Sequence, residues 1–209
     1  MKKRTISLAA VMFCFALAGS ATAATYSYTG GLLPLNDGGW TYADINVDQD
    51  LGSVQDINVY VDLTHAWIYD LEIYVAHSLD DGITWKYVQL YNHDDVPWYE
   101  NMRSVLFDDQ ATSSISNAPL AYSPGSFRPT SMPGLDESNL LSDYIGESAN
   151  GIWSLAVNDW ADGDTGTLLD FRVDITDDAP SSAVPLPGAI VLLGSGLSAV
   201  AGLRRLRQK

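Results

Sequence analysis

The chain has 209 residues, a formal net charge of −15, and 26 Asp+Glu against 11 Lys+Arg. So acidic a protein is excluded from nucleic-acid binding and from anionic lipid headgroups; it suits a divalent cation, a cationic partner or simple solubility. Cys14 is the single cysteine, so no internal disulfide can brace the fold and an apolar core must hold it.

The chain opens with Lys2, Lys3 and Arg4, runs apolar to about Ala18, and reaches Ala21-Thr22-Ala23. This order of basic, apolar and small residues predicts a secretory signal peptide over residues 1–23, cut near Ala23/Ala24. Cys14 lies inside it, and the Val-Met-Phe before Cys14 lacks the small residue that a lipidated cysteine wants. The body, residues 25–180, has the size of one domain. Period-two alternation with β-branched and aromatic residues predicts strands at Val54–Leu63, Asp70–Val75, Trp85–Leu90, Ile152–Val157 and Leu169–Ile175. Turn residues separate them at Asn36–Gly39, Asp80–Gly82, Ser123–Gly125 and Ala161–Asp164. Only Glu137–Ile145 reads as a helical turn or two. The expected class is all-β, a jelly roll or sandwich of about eight strands. After a linker at 181–183 comes Val184-Pro185-Leu186-Pro187, then an uncharged run from Gly188 to Leu203, then Arg204, Arg205, Arg207 and Lys209. Those 16 apolar-run residues would make a helix of about 24 Å, a short transmembrane span with a basic stop. Seven basic residues sit in the two ends, so the body holds four against 26 acidic ones, a charge of −22.

The signal peptide, the Val184-Pro185-Leu186-Pro187 motif, the apolar span and the arginine cluster together resemble the PEP-CTERM sorting tail. That tail is found on exported proteins of Gram-negative bacteria that make exopolysaccharide. The resemblance implies processing by an exosortase-type membrane peptidase, with a transient membrane anchor and delivery to the cell surface or matrix. The usual Pro-Glu-Pro is replaced here by Val-Pro-Leu-Pro.

Within the body, four segments resemble the P/Homo B domain, the β-jelly-roll module that follows subtilisin-like protease domains. They are His65-Ala66-Trp67-Ile68-Tyr69-Asp70-Leu71, Phe107-Asp108-Asp109-Gln110-Ala111, Gly151-Ile152-Trp153-Ser154-Leu155-Ala156-Val157-Asn158-Asp159, and Gly163-Asp164-Thr165-Gly166-Thr167-Leu168. Leu79-Asp80-Asp81-Gly82 and Phe171 depart from the family pattern. The signal peptide leads directly into this region, so no protease domain is expected before it.

The residues of the body point away from catalysis. No Gly-x-Ser-x-Gly elbow and no His-Glu-x-x-His motif occurs there. His65 and Asp70 are five apart, so on one strand they would face opposite sides. Calcium is the better-supported ligand. Asn158–Gly166 offers Asp159, Asp162 and Asp164 on a loop with two glycines, although not at EF-hand spacing. The P/Homo B resemblance adds Asp70, Asp108, Asp109 and Asp159 as calcium ligands. The bland alternative is that these aspartates are turn residues bonded to their own backbone. Among the tryptophans, Trp153 alternates with apolar neighbours and reads as core, whereas Trp98 and Trp160 are candidates for exposed stacking on sugar rings, the alternative being loop tryptophans that lid the core.

The expectation is an exported, non-catalytic β-domain with structural Ca²⁺, bound to extracellular polysaccharide or to another exported protein. Its rivals are an accessory domain for a separately encoded subtilisin-like protease and a surface hydrolase.

Overall fold

The computed structural model describes residues 22–49, 51–93, 100–117, 124–130 and 139–178. Residues 1–21, the linker, the Val184-Pro185-Leu186-Pro187 motif, the apolar span, Arg204, Arg205, Arg207 and Trp98 lie outside the described residues.

Among the described residues ten strands follow in order: β1 (Thr22–Ser27), β2 (Leu33–Pro34), β3 (Trp40–Val47), β4 (Val54–His65), β5 (Leu71–Ser78), β6 (Lys86–Tyr91), β7 (Met102–Phe107), β8 (Gly125–Phe127), β9 (Gly151–Asp159) and β10 (Gly166–Asp177). The five predicted strands are present as β4, β5, β6, β9 and β10. The described residues contain no α-helix; the predicted helical turn is a 3₁₀ turn at Leu141–Tyr144. The expected signal-peptide cut between Ala23 and Ala24 falls inside β1, where Ala24 to Ser27 pair with Ile175 to Arg172.

The strands form two sheets. The larger has the order β1-β10-β4-β7-β8, with β2 also on β10; the smaller has the order β3-β9-β5-β6. All pairings are antiparallel except β7 with β8. The inward set of β4 (Ile57, Val59, Val61, Leu63) and of β10 (Phe171, Val173, Ile175) meets that of β9 (Trp153, Leu155, Val157) and β5 (Leu71, Ile73, Val75) in one buried core. Each such side chain contributes roughly 1.5–3 kcal/mol of burial, which is how the sandwich stands without a cross-link.

Of the five strands that escaped the pattern reading, β3 and β7 did so for visible reasons. On β3 the inward residues are Thr41, Ala43, Ile45 and Val47, while Trp40 and Tyr42 point outward, so alternation by hydrophobicity is blurred. On β7 the register slips between Val61 and Leu63 of β4, which leaves Arg103 and Ser104 opposite Asp62. Ser104 takes a positive φ of 54° at that bulge, and period two is lost.

The core has one polar corner. The His77 ring stacks on Trp153 at 3.9 Å and its Nε2 lies 3.0 Å from the Asn150 carbonyl oxygen. Tyr144 meets Trp153 edge-on at 5.0 Å, and its hydroxyl is held by the carbonyls of Val75 at 2.8 Å and Lys86 at 3.0 Å. Gly151 is forced here: its φ is +127°, and a Cβ would stand 2.3 Å from the Ser78 carbonyl oxygen. Burial holds the His77 imidazolium pKa below the ordinary 6.5, against the opposing pull of the Asn150 carbonyl and Glu147.

A base whose folded pKa is depressed stabilises the fold above its unfolded pKa and loses that contribution as pH falls. Urea midpoints of the wild type should therefore drop as pH is lowered from about 6.5, by at most the ~1.4 kcal/mol per pH unit that one proton allows. His77→Gln, which has no charge to bury, should show a shallower acid limb; an unchanged slope would remove His77 as its source.

Candidate functional site

The sandwich closes at one end around His65, the last residue of β4. Its ring is fully buried, and Nε2 lies 3.0 Å from Oδ2 of Asp159, the equally buried last residue of β9. His65 Nδ1 faces the Trp67 carbonyl oxygen at 2.9 Å and the Trp67 amide nitrogen at 3.2 Å. The other oxygen of Asp159 accepts the Ala161 amide at 3.2 Å. Gly166 makes room for the ring: a Cβ there would lie 2.5 Å from His65 Cδ2 and 2.6 Å from the Thr64 carbonyl oxygen.

After His65 the chain does not continue as a strand. It turns through a 3₁₀ turn at Ile68–Asp70, closed by the Asp70 amide on the Trp67 carbonyl at 3.0 Å, and re-enters the other sheet as β5. The opposite-facing argument for His65 and Asp70 therefore fails, because they are not on one strand. Leu71 then pairs with Asp159, and the Trp160 amide bonds the Asp70 carbonyl at 2.8 Å. This places Asp70 close enough to Asp159 and Asp164 for their charges to act on it. Burial raises the Asp70 carboxyl pKa above its ordinary value. The charges of Asp159 and Asp164 raise it further, and His65 opposes them.

Of the six aspartates named from sequence, Asp70, Asp159 and Asp164 come together. Asp162 is turned toward the Asn36–Gly39 turn, with its Oδ1 against Gly38, while Asp37 Oδ1 accepts the Gly163 amide at 2.8 Å. Asp108 and Asp109 lie elsewhere. Asp108 follows Phe107, which pairs with Val59, six residues from His65 along β4, or roughly 20 Å at ~3.3 Å per residue. Asp108 accepts the Gln110 amide at 2.7 Å, as a turn aspartate does. Asp109 accepts the amides of Leu141 at 3.1 Å and Ser142 at 2.8 Å, which satisfies the open start of the 3₁₀ turn.

The fit to calcium is therefore partial. Among the described residues no three His, Cys, Asp or Glu side chains form a group that could hold a metal ion. Both oxygens of Asp159 are engaged, so Asp70 and Asp164 are the two carboxylates that could chelate an ion, with water or carbonyl oxygens completing its shell.

Beside this end Trp160 is 62 % exposed, as its loop position predicted, whereas Trp153 is fully buried. Sequence reasoning missed the aromatic company of Trp160: the His93 ring lies 5.9 Å away and meets Tyr69 edge-on at 6.4 Å, with His93 Nδ1 at 3.2 Å from Glu72 Oε1. It also missed the His65–Asp159 pair, since partners 94 residues apart leave no local signal.

No protein-family model matches the chain, and no curated protein matches it. The PEP-CTERM and P/Homo B resemblances thus rest on the residues quoted for them.

Removing one member of a buried pair strands the other. Asp159→Ala and His65→Leu should each destabilise by about 3–5 kcal/mol in urea unfolding, and the double variant by clearly less than their sum. Single losses below about 1 kcal/mol, or simple additivity, would show that the contact does not couple the two sheets.

Proposed function

We propose that the chain is an exported, non-catalytic jelly-roll domain of P/Homo B type, sorted by a PEP-CTERM/exosortase-type system. It works as a calcium-assisted binding or structural protein of the cell surface or extracellular matrix, in contact with extracellular polysaccharide. The observation that carries the reading is the approach of Asp70 to Asp164 with Asp159 behind them. Two neighbouring carboxylates, one of them with a raised pKa, relax when a divalent cation enters. Calcium in this role is structural: it neutralises the end of the sandwich where the two sheets are tied together. In a body of charge −22 that relief extends to general self-repulsion. The acidic surface and the exposed Trp160 favour a neutral glycan over a polyanion as the contact.

Calcium in hundredfold excess over its dissociation constant should stabilise the protein by about 2.7 kcal/mol, a rise of roughly 5–10 °C in melting temperature that chelator reverses. Asp70→Asn together with Asp164→Asn should raise the melting temperature in chelator and abolish the calcium response. A wild-type melting temperature indifferent to millimolar calcium would overturn the calcium assignment. Failure of the producer's own polysaccharide to retain the protein, in calcium or in chelator, would overturn the polysaccharide contact.

A further inference from the structure

The outer face of the four-stranded sheet is built unlike an ordinary solvent-facing sheet. Register lines up Asp44 on β3, Ser154 on β9, Ala76 on β5 and Tyr87 on β6 across the sheet. The neighbouring row is Tyr42, Ala156, Tyr74 and Gln89. Small residues thus lie together on the central strands at Ser154, Ala156 and Ala76, with Tyr74 beside them on β5, while the flanking strands carry the rings of Tyr42 and Tyr87 along with Asp44 and Gln89. The result is an open cleft of about 330 Å³, floored by Ala76, Ser154 and Ala156 and walled by Tyr42 and Asp44 on one side and Trp85 and Tyr87 on the other. Its volume is at the low end of the ~300–1,000 Å³ typical of ligand clefts.

The walls are pre-organised. Tyr42 stacks with Trp40 at 6.0 Å and 12°, and Trp40 packs in turn on Tyr74 at 5.9 Å. Trp85 is locked by its own hairpin: its indole N–H donates to the Gly82 carbonyl at 3.0 Å and its ring lies over Gly82, 3.3 Å from where a Cβ would stand. That hairpin is tied by Asp80, whose carboxylate accepts the Thr84 amide at 2.8 Å, the Thr84 hydroxyl at 2.7 Å and the Ser78 hydroxyl at 2.9 Å. Yet Tyr42 remains 57 % and Tyr87 40 % exposed. Rigid, exposed rings bind at low entropic cost.

We infer that this cleft binds a polysaccharide chain of neutral or amino-sugar rings. A pyranose has an apolar C–H face and a rim of hydroxyls. The tyrosine and tryptophan faces match the first; the Asp44 carboxylate, the Ser154 hydroxyl and the tyrosine hydroxyls match the second. A uronate or sulfated chain would meet Asp44 and a body of charge −22, so polyanions are disfavoured. A protein partner fits less well, because the floor offers only alanine and serine in place of pockets for large apolar anchors. The inference rests on the polysaccharide reading above and names its site, which is apart from the Asp70 end and from Trp160.

The test uses the full-length protein with cellohexaose, a chitosan oligomer and alginate, read by tryptophan fluorescence, and sedimentation with the producer's own polysaccharide. Cellohexaose or the chitosan oligomer should bind, and Tyr42→Ala and Tyr87→Ala should each weaken binding about tenfold. Both residues are exposed, so these variants keep the fold. Ala156→Trp, checked for an unchanged melting temperature, should abolish binding by filling the floor. Retention of polysaccharide by the wild type and equally by Tyr42→Ala and Tyr87→Ala would overturn the cleft and leave the polysaccharide reading standing. Binding to alginate alone would overturn the ligand class. Binding to no probe and no retention on the producer's polysaccharide would overturn both.

Discussion

The contact between His65 and Asp159 joins the end of β4 in one sheet to the end of β9 in the other, and the geometry of that whole end depends on it. A buried carboxylate costs several kcal/mol unless its lone pairs are met. Here one oxygen meets the imidazole and the other the Ala161 amide. The arrangement requires Gly166 to lack a side chain, because any Cβ would enter the His65 ring. It also fixes where β5 begins, since Leu71 pairs with Asp159. Asp70 then has no freedom to avoid Asp159 and Asp164: its carbonyl is bonded to the Trp160 amide one residue beyond the pair. The acid cluster follows from the clamp.

Charge supply sharpens the point. The body has four basic residues, and each has a partner other than Asp70, Asp159 or Asp164. Lys86 bonds Glu147 and the Asp143 carbonyl; Arg103 pairs with Asp62. Arg172 pairs with Asp170 and lies over the Tyr60 ring at 3.8 Å, and Arg128 bonds the carbonyls of Ala111 and Thr112. Among the described residues, the other cationic groups at this end are the imidazoles of His65, which faces Asp159, and His93, which faces Glu72. The proposed cation would therefore meet Asp70 and Asp164. The count of acidic residues by itself says nothing about where a cation would sit.

The sequence disclosed this end in part. Alternation revealed the long strands because the core-facing residues in the middle of β4 (Ile57, Val59, Val61, Leu63) and of β10 (Phe171, Val173, Ile175) are apolar, so period two is clean over those stretches. Asp70, Asp159 and Asp164 were nameable from their motifs, and the fold gathers them. Asp108 and Asp109 sit in an equally good motif, yet their oxygens serve a turn and the start of a 3₁₀ turn. Spacing cannot tell an aspartate that caps from one that chelates; the backbone amides in reach decide it. Reading His65 and Asp70 as strand neighbours failed for a related reason. Nothing in Ala66-Trp67-Ile68-Tyr69 announces that the chain leaves one sheet there and joins the other.

The strand hardest to read is also the one that makes the outer face unusual. At the start of β3, Trp40 and Tyr42 point to solvent and Thr41 and Ala43 to the core, the reverse of the usual binary pattern, before Asp44 to Val47 return to it. The small core-facing residues suffice because β3 pairs with β9, whose buried Trp153 and Leu155 fill the space beneath. On the outer side Trp40 and Tyr42 stand beside Asn158 and Ala156. Ala76, Ser154 and Ala156 are screened by the surrounding rings and are nearly inaccessible themselves. Alanine and serine are weak strand formers, and threonine or valine at those positions would fill the cleft. The fold explains why β3 can afford small residues inside. It does not require large rings outside facing small residues across the sheet; the proposed ligand, with a flat apolar face and a polar edge, would use both.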